Sequence, residues 1–226
     1  MSEIDMKNAL IILIVFIYSF DGFSQQLNIG GYGPLSDSLI HVLKNQNVYN
    51  EQFTEEGVMC PEIDKDGEYE CFGDSMTKVI GTIKNGKLNG PYTAYHKNGN
   101  IYISTTMVND TYHGITKYYF SNGKLNAICE FKDGKLWNVN QMYDNSGRKL
   151  NSGDFSDGNG KLKLYYANGK LFRESLMQGG LANGPTEYYY KNGALMIKGT
   201  FRAGKIINTW TEYSTNGTIY LERIFK

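Results

Sequence analysis

Three segments share one pattern: residues 90–99 read GPYTAYHKNG, residues 114–123 read GITKYYFSNG, and residues 184–193 read GPTEYYYKNG. Each segment starts with Gly, continues through a run containing Thr and Tyr, and ends in Asn-Gly. Thr and Tyr favour strands, and Asn-Gly tolerates the positive φ of a tight turn. The segments therefore predict strands that end in turns.

The pattern occurs six times, and the spacings between the turn glycines are 24, 24, 22, 24 and 24 residues. A fixed period of this kind indicates a repeat architecture. The signature Tyr-x-x-Asn-Gly is carried by Tyr95, Asn98, Gly99, Tyr119, Asn122, Gly123, Tyr165, Asn168, Gly169, Tyr189, Asn192, Gly193, Tyr213, Asn216 and Gly217. The third copy keeps Tyr143 and Gly147 but has Ser146 in place of Asn. The short unit lacks two residues at 157–160.

A second turn signal runs in step with the first, at residues 85–86, 109–110, 133–134, 157–158, 179–180 and 203–204. Two turns per unit leave two strands of about 5–7 residues, which is an ordinary strand length. No window has apolar residues at helical spacing. The prediction is an all-β protein with a single extended antiparallel β-meander of about six 24-residue hairpin repeats.

Three columns of large side chains compete for the buried face of this sheet. The first holds Ile83, Met107, Phe131, Phe155, Met177 and Phe201. The second holds Ile101, Leu125, Leu171, Leu195 and Ile219, interrupted by Lys149. The third is the signature tyrosine column, from Tyr95 to Tyr213. We expect the tyrosines to stabilise the sheet through cross-strand contacts, and their alternative role is a row of exposed phenols.

The N-terminus predicts an export signal over residues 1–24. Residues 9–20 read ALIILIVFIYSF, which is too short for a membrane span and typical of a signal-peptide core. Cleavage is expected near Ser24-Gln25, giving a periplasmic or extracellular protein. Translation can start at Met1 or at Met6, and an uncleaved anchor is the alternative interpretation.

Residues 25–80 and 81–226 differ in charge, although the whole chain is neutral with 23 basic and 23 acidic residues. The first part has ten acids and three bases, and the second has 19 bases and ten acids. We interpret residues 25–80 as an acidic capping segment that covers the first edge of the sheet, and residues 81–226 as the repeat domain. Neutral balance argues against a general nucleic-acid partner.

No pattern of catalytic residues occurs, so we expect no enzyme activity, no cofactor and no metal. The chain has three His and three Cys, without a ligand-spaced cluster or a nucleophile elbow. Residues 62–67, EIDKDG, share some features of a calcium loop, but Gly73 stands where the closing Glu is required. An ordinary acidic turn is the preferred interpretation.

The repeat unit resembles the MORN repeat, in particular the bacterial variant with the Tyr-x-x-Asn-Gly signature. The resemblance covers residues 81–222. It implies a binding scaffold made of hairpins. Members of this variant family are often described as antitoxins of toxin–antitoxin systems. Combined with an export signal, the resemblance suggests an envelope binding protein or an immunity protein that neutralises a toxin.

A protein partner is therefore the leading hypothesis, with a glycan or a membrane surface as alternatives. Exposed aromatic rows could stack on sugars, and the basic repeat region could bind anionic lipid. Tyr and Trp are common anchors of protein interfaces. The candidate contact residues are Tyr92, Tyr118, Tyr188, Trp210, Lys97, Lys117, Lys163 and Lys191.

We predict a disulfide between Cys60 and Cys71, which leaves Cys129 as a lone thiol among apolar side chains. A four-residue turn at residues 64–67 places Cys60 opposite Cys71, whereas a three-residue turn opposes Cys60 to Phe72. Export into an oxidising compartment favours closure of the bridge. Non-reducing peptide mapping should recover Cys60 and Cys71 in one linked peptide. Separate alkylated peptides, obtained without reductant, would contradict the pairing.

Overall fold

The computed structural model describes residues 58–59, 66–73 and 78–226, and within these ranges the chain forms strands and no helix. The signal segment 1–24 and the EIDKDG turn at 62–65 lie outside the described residues. The strands are β1 (Val58–Met59), β2 (Gly67–Gly73), β3 (Lys78–Lys84), β4 (Lys87–Tyr95), β5 (Ile101–Val108), β6 (Thr111–Tyr119), β7 (Leu125–Lys132), β8 (Lys135–Met142), β9 (Gly160–Tyr165), β10 (Leu171–Gln178), β11 (Leu181–Tyr189), β12 (Leu195–Arg202), β13 (Lys205–Tyr213) and β14 (Ile219–Phe225).

The predicted all-β hairpin meander is confirmed. Each strand pairs antiparallel with the strand before or after it in the sequence. The order is β1 to β8 in one sheet and β9 to β14 in a second sheet. β2 pairs with β3 and thereby covers the first edge of the repeat region.

The meander is divided into two sheets rather than being one unbroken sheet, because the first strand of the short repeat is irregular. Residues 143–159 form only isolated bridges, including Tyr143 with Lys149 and Gly153 with Leu162. Gly153 has a φ of 94°, and a Cβ there would collide with the backbone carbonyl of Lys161. Leu136 and Val139 of β8 pack against the cores of both sheets, so the two sheets adjoin at this point.

The second turn signal forms tight turns, as predicted. Both central residues of all six turns have positive φ, for example Asn85 at 53° and Gly86 at 71°. This is the conformation of a type I′ hairpin turn, whose twist matches that of the strands. The sequence pairs Asn-Gly, Asn-Asp, Asp-Gly and Gly-Gly suit it, because these residues tolerate positive φ.

The core lies on one face of the meander, which we call the inner face, and the opposite face is the outer face. The first of the three apolar columns, from Ile83 to Phe201, is entirely buried on the inner face. Each strand makes its substantial contacts with its sequence neighbours, so within the described residues no second sheet packs on this face. The inner side chains therefore cover one another. Aromatic rings in edge-on and tilted contact provide much of this cover in the second sheet.

A large side chain on the inner face is matched by a small one on the neighbouring strand. Gly81 pairs with Tyr92. Gly199 contacts the ring of Trp210, and a Cβ at Gly199 would overlap that ring. Where the position is Ser175 rather than Gly, its partner is the smaller Thr186. A small residue thus leaves room for the large side chain opposite it, which close packing requires.

The described cysteines differ in state: Cys129 is a free thiol and Cys71 is part of a disulfide. Cys129 is a free, buried thiol on the same core face as Phe131, as predicted. Burial raises its pKa to about 12, so it stays protonated near neutral pH. Cys71 is disulfide-bonded. Phe72 pairs with Met59, so the register that opposes Phe72 to Cys60 is absent. Cys60 lies outside the described residues, and its pairing stays a prediction.

Gly199→Ala should destabilise the protein more than Gly81→Ala. Both glycines lie in the same inner column, but an added methyl at Gly199 overlaps the Trp210 ring. One at Gly81 meets the side chains of Leu88 and Tyr92 at 3.0 and 3.3 Å, which they can relieve by small shifts. We expect a loss of about 2–3 kcal/mol for Gly199→Ala and about 1 kcal/mol for Gly81→Ala, measured by urea unfolding. The double variant Gly199→Ala, Trp210→Thr should recover part of the difference. Equal losses for the two single variants would contradict the pairing.

Candidate interaction surface

The signature Asn and Gly residues build the loops that join one hairpin to the next. In the first loop the Gly99 amide donates to the His96 carbonyl, and the His96 amide donates to the Asn100 carbonyl. Gly99 has a φ of 82°, which explains the need for glycine. The Asn98 side chain accepts the amide of Asn100 two residues later. The same bonds recur at Asn122, Asn168, Asn192 and Asn216.

The third loop has Ser146 at the signature position, and Asp144 compensates for the change. The carboxylate of Asp144 accepts the amides of Ser146 and Arg148, the Ser146 hydroxyl and the Arg148 Nε. The hydrogen bond from the Ser146 hydroxyl is the main cause that lowers the pKa of Asp144 to about 2. The loop therefore keeps the geometry of the other five.

Hydrogen bonds also tie each loop to the next one along the same edge of the meander, through side chains at four of the five junctions and through the amide of Asn145 and the carbonyl of Ala167 between the third and fourth loops. Asn98 Nδ2 donates to the Ser121 carbonyl, and Asn122 Nδ2 donates to the Asn145 carbonyl. The phenols of Tyr166 and Tyr190 donate to the carbonyls of Tyr189 and Tyr213. These bonds hold the row of loops in fixed positions.

Five of the six signature tyrosines lie on the outer face beside an aliphatic side chain, whereas Tyr143 bridges to Lys149. Tyr95 pairs with Ile101, and four later signature tyrosines repeat this pairing. The other pairs are Tyr119–Leu125, Tyr165–Leu171, Tyr189–Leu195 and Tyr213–Ile219. All of these side chains are half-buried or exposed. We call this set the tyrosine–leucine row. It runs beside the loops and joins the second and third apolar columns of the sequence.

Hydrogen bonds fix several of these phenols. Tyr189 donates to the Glu187 carboxylate and Tyr165 donates to the Asn151 carbonyl. Burial first, and then the bond to Glu187, raise the pKa of Tyr189, so its hydroxyl acts as a donor. Rings held in this way present a preformed surface, which reduces the entropy lost on binding.

The four aromatic candidates from the sequence are wrong as contact residues. Tyr92, Tyr118, Tyr188 and Trp210 are exposed by 1%, 4%, 2% and 0% and belong to the core. Strand alternation is the reason. Tyr118 and Tyr119 are consecutive and point to opposite faces, and only the structure shows which face is buried.

The four lysine candidates lie at the surface but not together. Lys97 and Lys191 are exposed in the first and fifth loops. Lys117 is exposed on the outer face of the first sheet. Lys163 is half-buried on the second sheet and lies 3.5 Å from a carboxylate oxygen of Glu174.

The outer faces of the two sheets differ in charge. A row of paired residues across the first sheet is mostly uncharged: Ile80, Thr93, Ser104, Lys117, Ile128 and Gln141. The corresponding row of the second sheet is Lys163, Glu174, Glu187, Lys198, Thr211 and Glu222. Glu174 in this row forms an ion pair with Lys161. The hydrogen bond from Lys161 lowers the pKa of Glu174.

Sequence reasoning missed a set of basic residues in the loops. Lys124, Arg148, Lys149 and Lys170 are all exposed there. Each stands one or two residues after a loop glycine, and this spacing is a signal that could have found them. The only carboxylate within the six loops is that of Asp144, which is 4% exposed.

His96 takes part in the packing of the first loop, and the described residues contain neither a metal-ligand cluster nor a membrane-spanning helix. His96 bonds through Nε2 to the Tyr119 carbonyl and packs on Tyr102, which is a structural role. No group of three or more His, Cys, Asp or Glu is placed to hold a metal among the described residues. That part of the chain also contains no helix long and apolar enough to span a membrane.

Four segments match the family model described as the MORN repeat variant, at residues 88–109, 112–133, 158–178 and 182–203. These four segments are repeats of the MORN variant family. Each matched MORN segment contains a strand, a signature loop and the next strand. The unmatched stretch 134–157 includes the irregular strand. No curated protein is significantly similar to the chain.

Asp144→Asn should lower the melting temperature near neutral pH by removing the charge that organises the third loop. The pKa of Asp144 in the folded protein, about 2, is below its ordinary value of 3.8, so the ionised form stabilises the fold. This contribution is present above about pH 4 and is lost as the pH falls through the folded pKa. The difference in melting temperature between wild type and variant should therefore shrink towards pH 2. Asp133→Asn in an exposed turn is the control and should have little effect.

Proposed function

We propose that this protein is a non-enzymatic repeat scaffold that binds another protein through its outer face. The observation that carries the proposal is the tyrosine–leucine row. It places partly exposed aromatic and aliphatic side chains at regular intervals on a rigid sheet, beside the loops. Aromatic residues of this kind are enriched in protein interfaces, where their apolar area and hydroxyl groups both contribute.

The difference in exposure between the inner and outer faces supports the same conclusion. The inner face is filled by its own side chains and offers no surface for a partner. The outer face carries further exposed apolar residues, among them Ile115 and Leu176. Exposed apolar groups near a polar rim are typical of interaction sites.

Neutralisation of a toxin is the more specific form of the proposal, and it rests on the resemblance to the variant family alone. A location in the cell envelope rests on the apolar segment at residues 9–20. In that setting the protein would act as an immunity or antitoxin protein that meets its target outside the cytosol. A glycan or a membrane surface is the competing class of partner.

The test compares two ends of one strand. Ile101 belongs to the tyrosine–leucine row and is 38% exposed, whereas Val108 lies at the other end of β5 and is 37% exposed. The double variant Ile101→Glu, Ile219→Glu should lose a protein that wild type retains stoichiometrically from an envelope extract. Val108→Glu should retain it. Circular dichroism should show that all three proteins keep the same β-structure.

Other outcomes would contradict the proposal. If the double variant captures the same protein as wild type, the tyrosine–leucine row is not the binding surface. Retention of wild type on polysaccharide, or salt-sensitive binding to anionic liposomes, without a stoichiometric protein partner, would favour the competing classes.

A further inference from the structure

The loop edge of the meander carries exposed cations in five successive repeats. We define the loop ridge as residues 96–100, 120–124, 144–149, 166–170, 190–194 and 214–218. Its basic residues are Lys97, Lys124, Arg148, Lys149, Lys170 and Lys191, all exposed. Asp144, buried and ion-paired with Arg148, is its only carboxylate, so the ridge has a net charge of +5.

The opposite edge of the meander, which we call the hairpin edge, has the same number of cations as the loop ridge but more carboxylates. The hairpin edge carries Lys84, Lys87, Lys132, Lys135, Arg202 and Lys205, all exposed. They are interspersed with Asp66, Asp110, Asp133 and Asp157, so the net charge is about +2. Several of its cations also face each other across a turn, such as Lys84 with Lys87.

From this charge and geometry we propose that the loop ridge binds an extended acidic segment of a polypeptide. The inference rests on the proposed function in one respect, namely that the ligand is a protein. It names a second contact surface, beside the tyrosine–leucine row, and the chemistry of the segment that this surface takes.

The spacing of the ridge fits an extended chain. Successive loops are separated by two strands, which is about 10 Å. Three residues of polypeptide in the extended polyproline II conformation, at about 3.1 Å each and three to a turn, span about the same distance and put every third side chain on one side. An acidic side chain at every third position can therefore meet one loop after another. Hydrogen bonds from Asn98 and Asn122 fix the spacing of the first three loops, and the ammonium of Lys124 itself donates to the Ser146 carbonyl.

The neighbouring apolar row favours a polypeptide over other polyanions. Ile101, Leu125 and Leu171 offer aliphatic surface directly beside the cations. A peptide supplies acidic and apolar side chains from one strand, whereas nucleic acids and acidic glycans lack aliphatic side chains. A meander of this length twists, so its edge follows a curved path that a flat bilayer meets at only a few loops.

The test uses the full purified chain and two labelled peptides of about 15 residues, both containing five Glu and five Leu. One peptide has Glu at every third position, and the other has the same composition with the five Glu adjacent. The spaced peptide should bind more tightly, and its affinity should fall as salt is raised.

Two matched variants then separate the ridge from net charge. Replacing Lys97, Lys124, Lys149, Lys170 and Lys191 with Ser should raise the dissociation constant for the spaced peptide about tenfold or more. The second variant removes the same charge from the hairpin edge, by replacing Lys84, Lys87, Lys132, Lys135 and Lys205 with Ser. It should change the dissociation constant for the spaced peptide by less than about twofold. Both variants should unfold cooperatively.

Four results would overturn the inference. The first is no binding of the spaced peptide to wild type, and the second is an equal loss in the two variants. The third is tighter binding of a single-stranded oligonucleotide or of anionic vesicles than of the peptide, with loss in the loop variant. Capture of a protein that depends on Ile101 and Ile219 but not on the loop lysines would leave the scaffold proposal standing and remove this one.

Discussion

The structure depends on one constraint: a single-layer meander has to build its core on one face without a second layer. Side chains on the inner face must cover each other, so a large residue on one strand needs a small residue on the next. Gly81 beside Tyr92 and Gly199 beside Trp210 meet this need in different repeats. The hairpin turns keep the strands in the register that these contacts require, because their positive φ values match the twist of the strands.

The same constraint decides where recognition can occur. Since the inner face is used for the core, only the outer face and the two edges are left for a partner. The outer face carries the tyrosine–leucine row, and the loop edge carries a basic ridge without exposed carboxylates. The two surfaces adjoin, so one partner could contact both. Their rigidity comes from hydrogen bonds between successive loops rather than from an additional domain.

The third repeat shows how much irregularity the architecture accepts. Its loop lacks the signature Asn, and Asp144 supplies the missing acceptor and recruits Arg148. The strand that follows this loop contains Gly153 and polar neighbours, and it makes only isolated bridges. The ladder is therefore interrupted and two core clusters form. Leu136 and Val139 belong to the surroundings of both clusters, so packing continues where the backbone ladder does not.

The period and the turn chemistry were readable from the sequence, because they depend on local backbone preferences at positions such as Asn98 and Gly99. The buried column from Ile83 to Phe201 was visible as a candidate for the same reason. The strands are longer than the predicted length of about 5–7 residues, since most of them extend to eight or nine. The sequence could not show which face is inner, since Tyr118 and Tyr119 are equally suited to either face. Tertiary packing decided it: Tyr118 is buried in the core, and Tyr119 is left beside Leu125 on the outer face. The break after β8 and the gathering of basic residues into one ridge were likewise decided by the structure, because both depend on contacts between residues of different repeats.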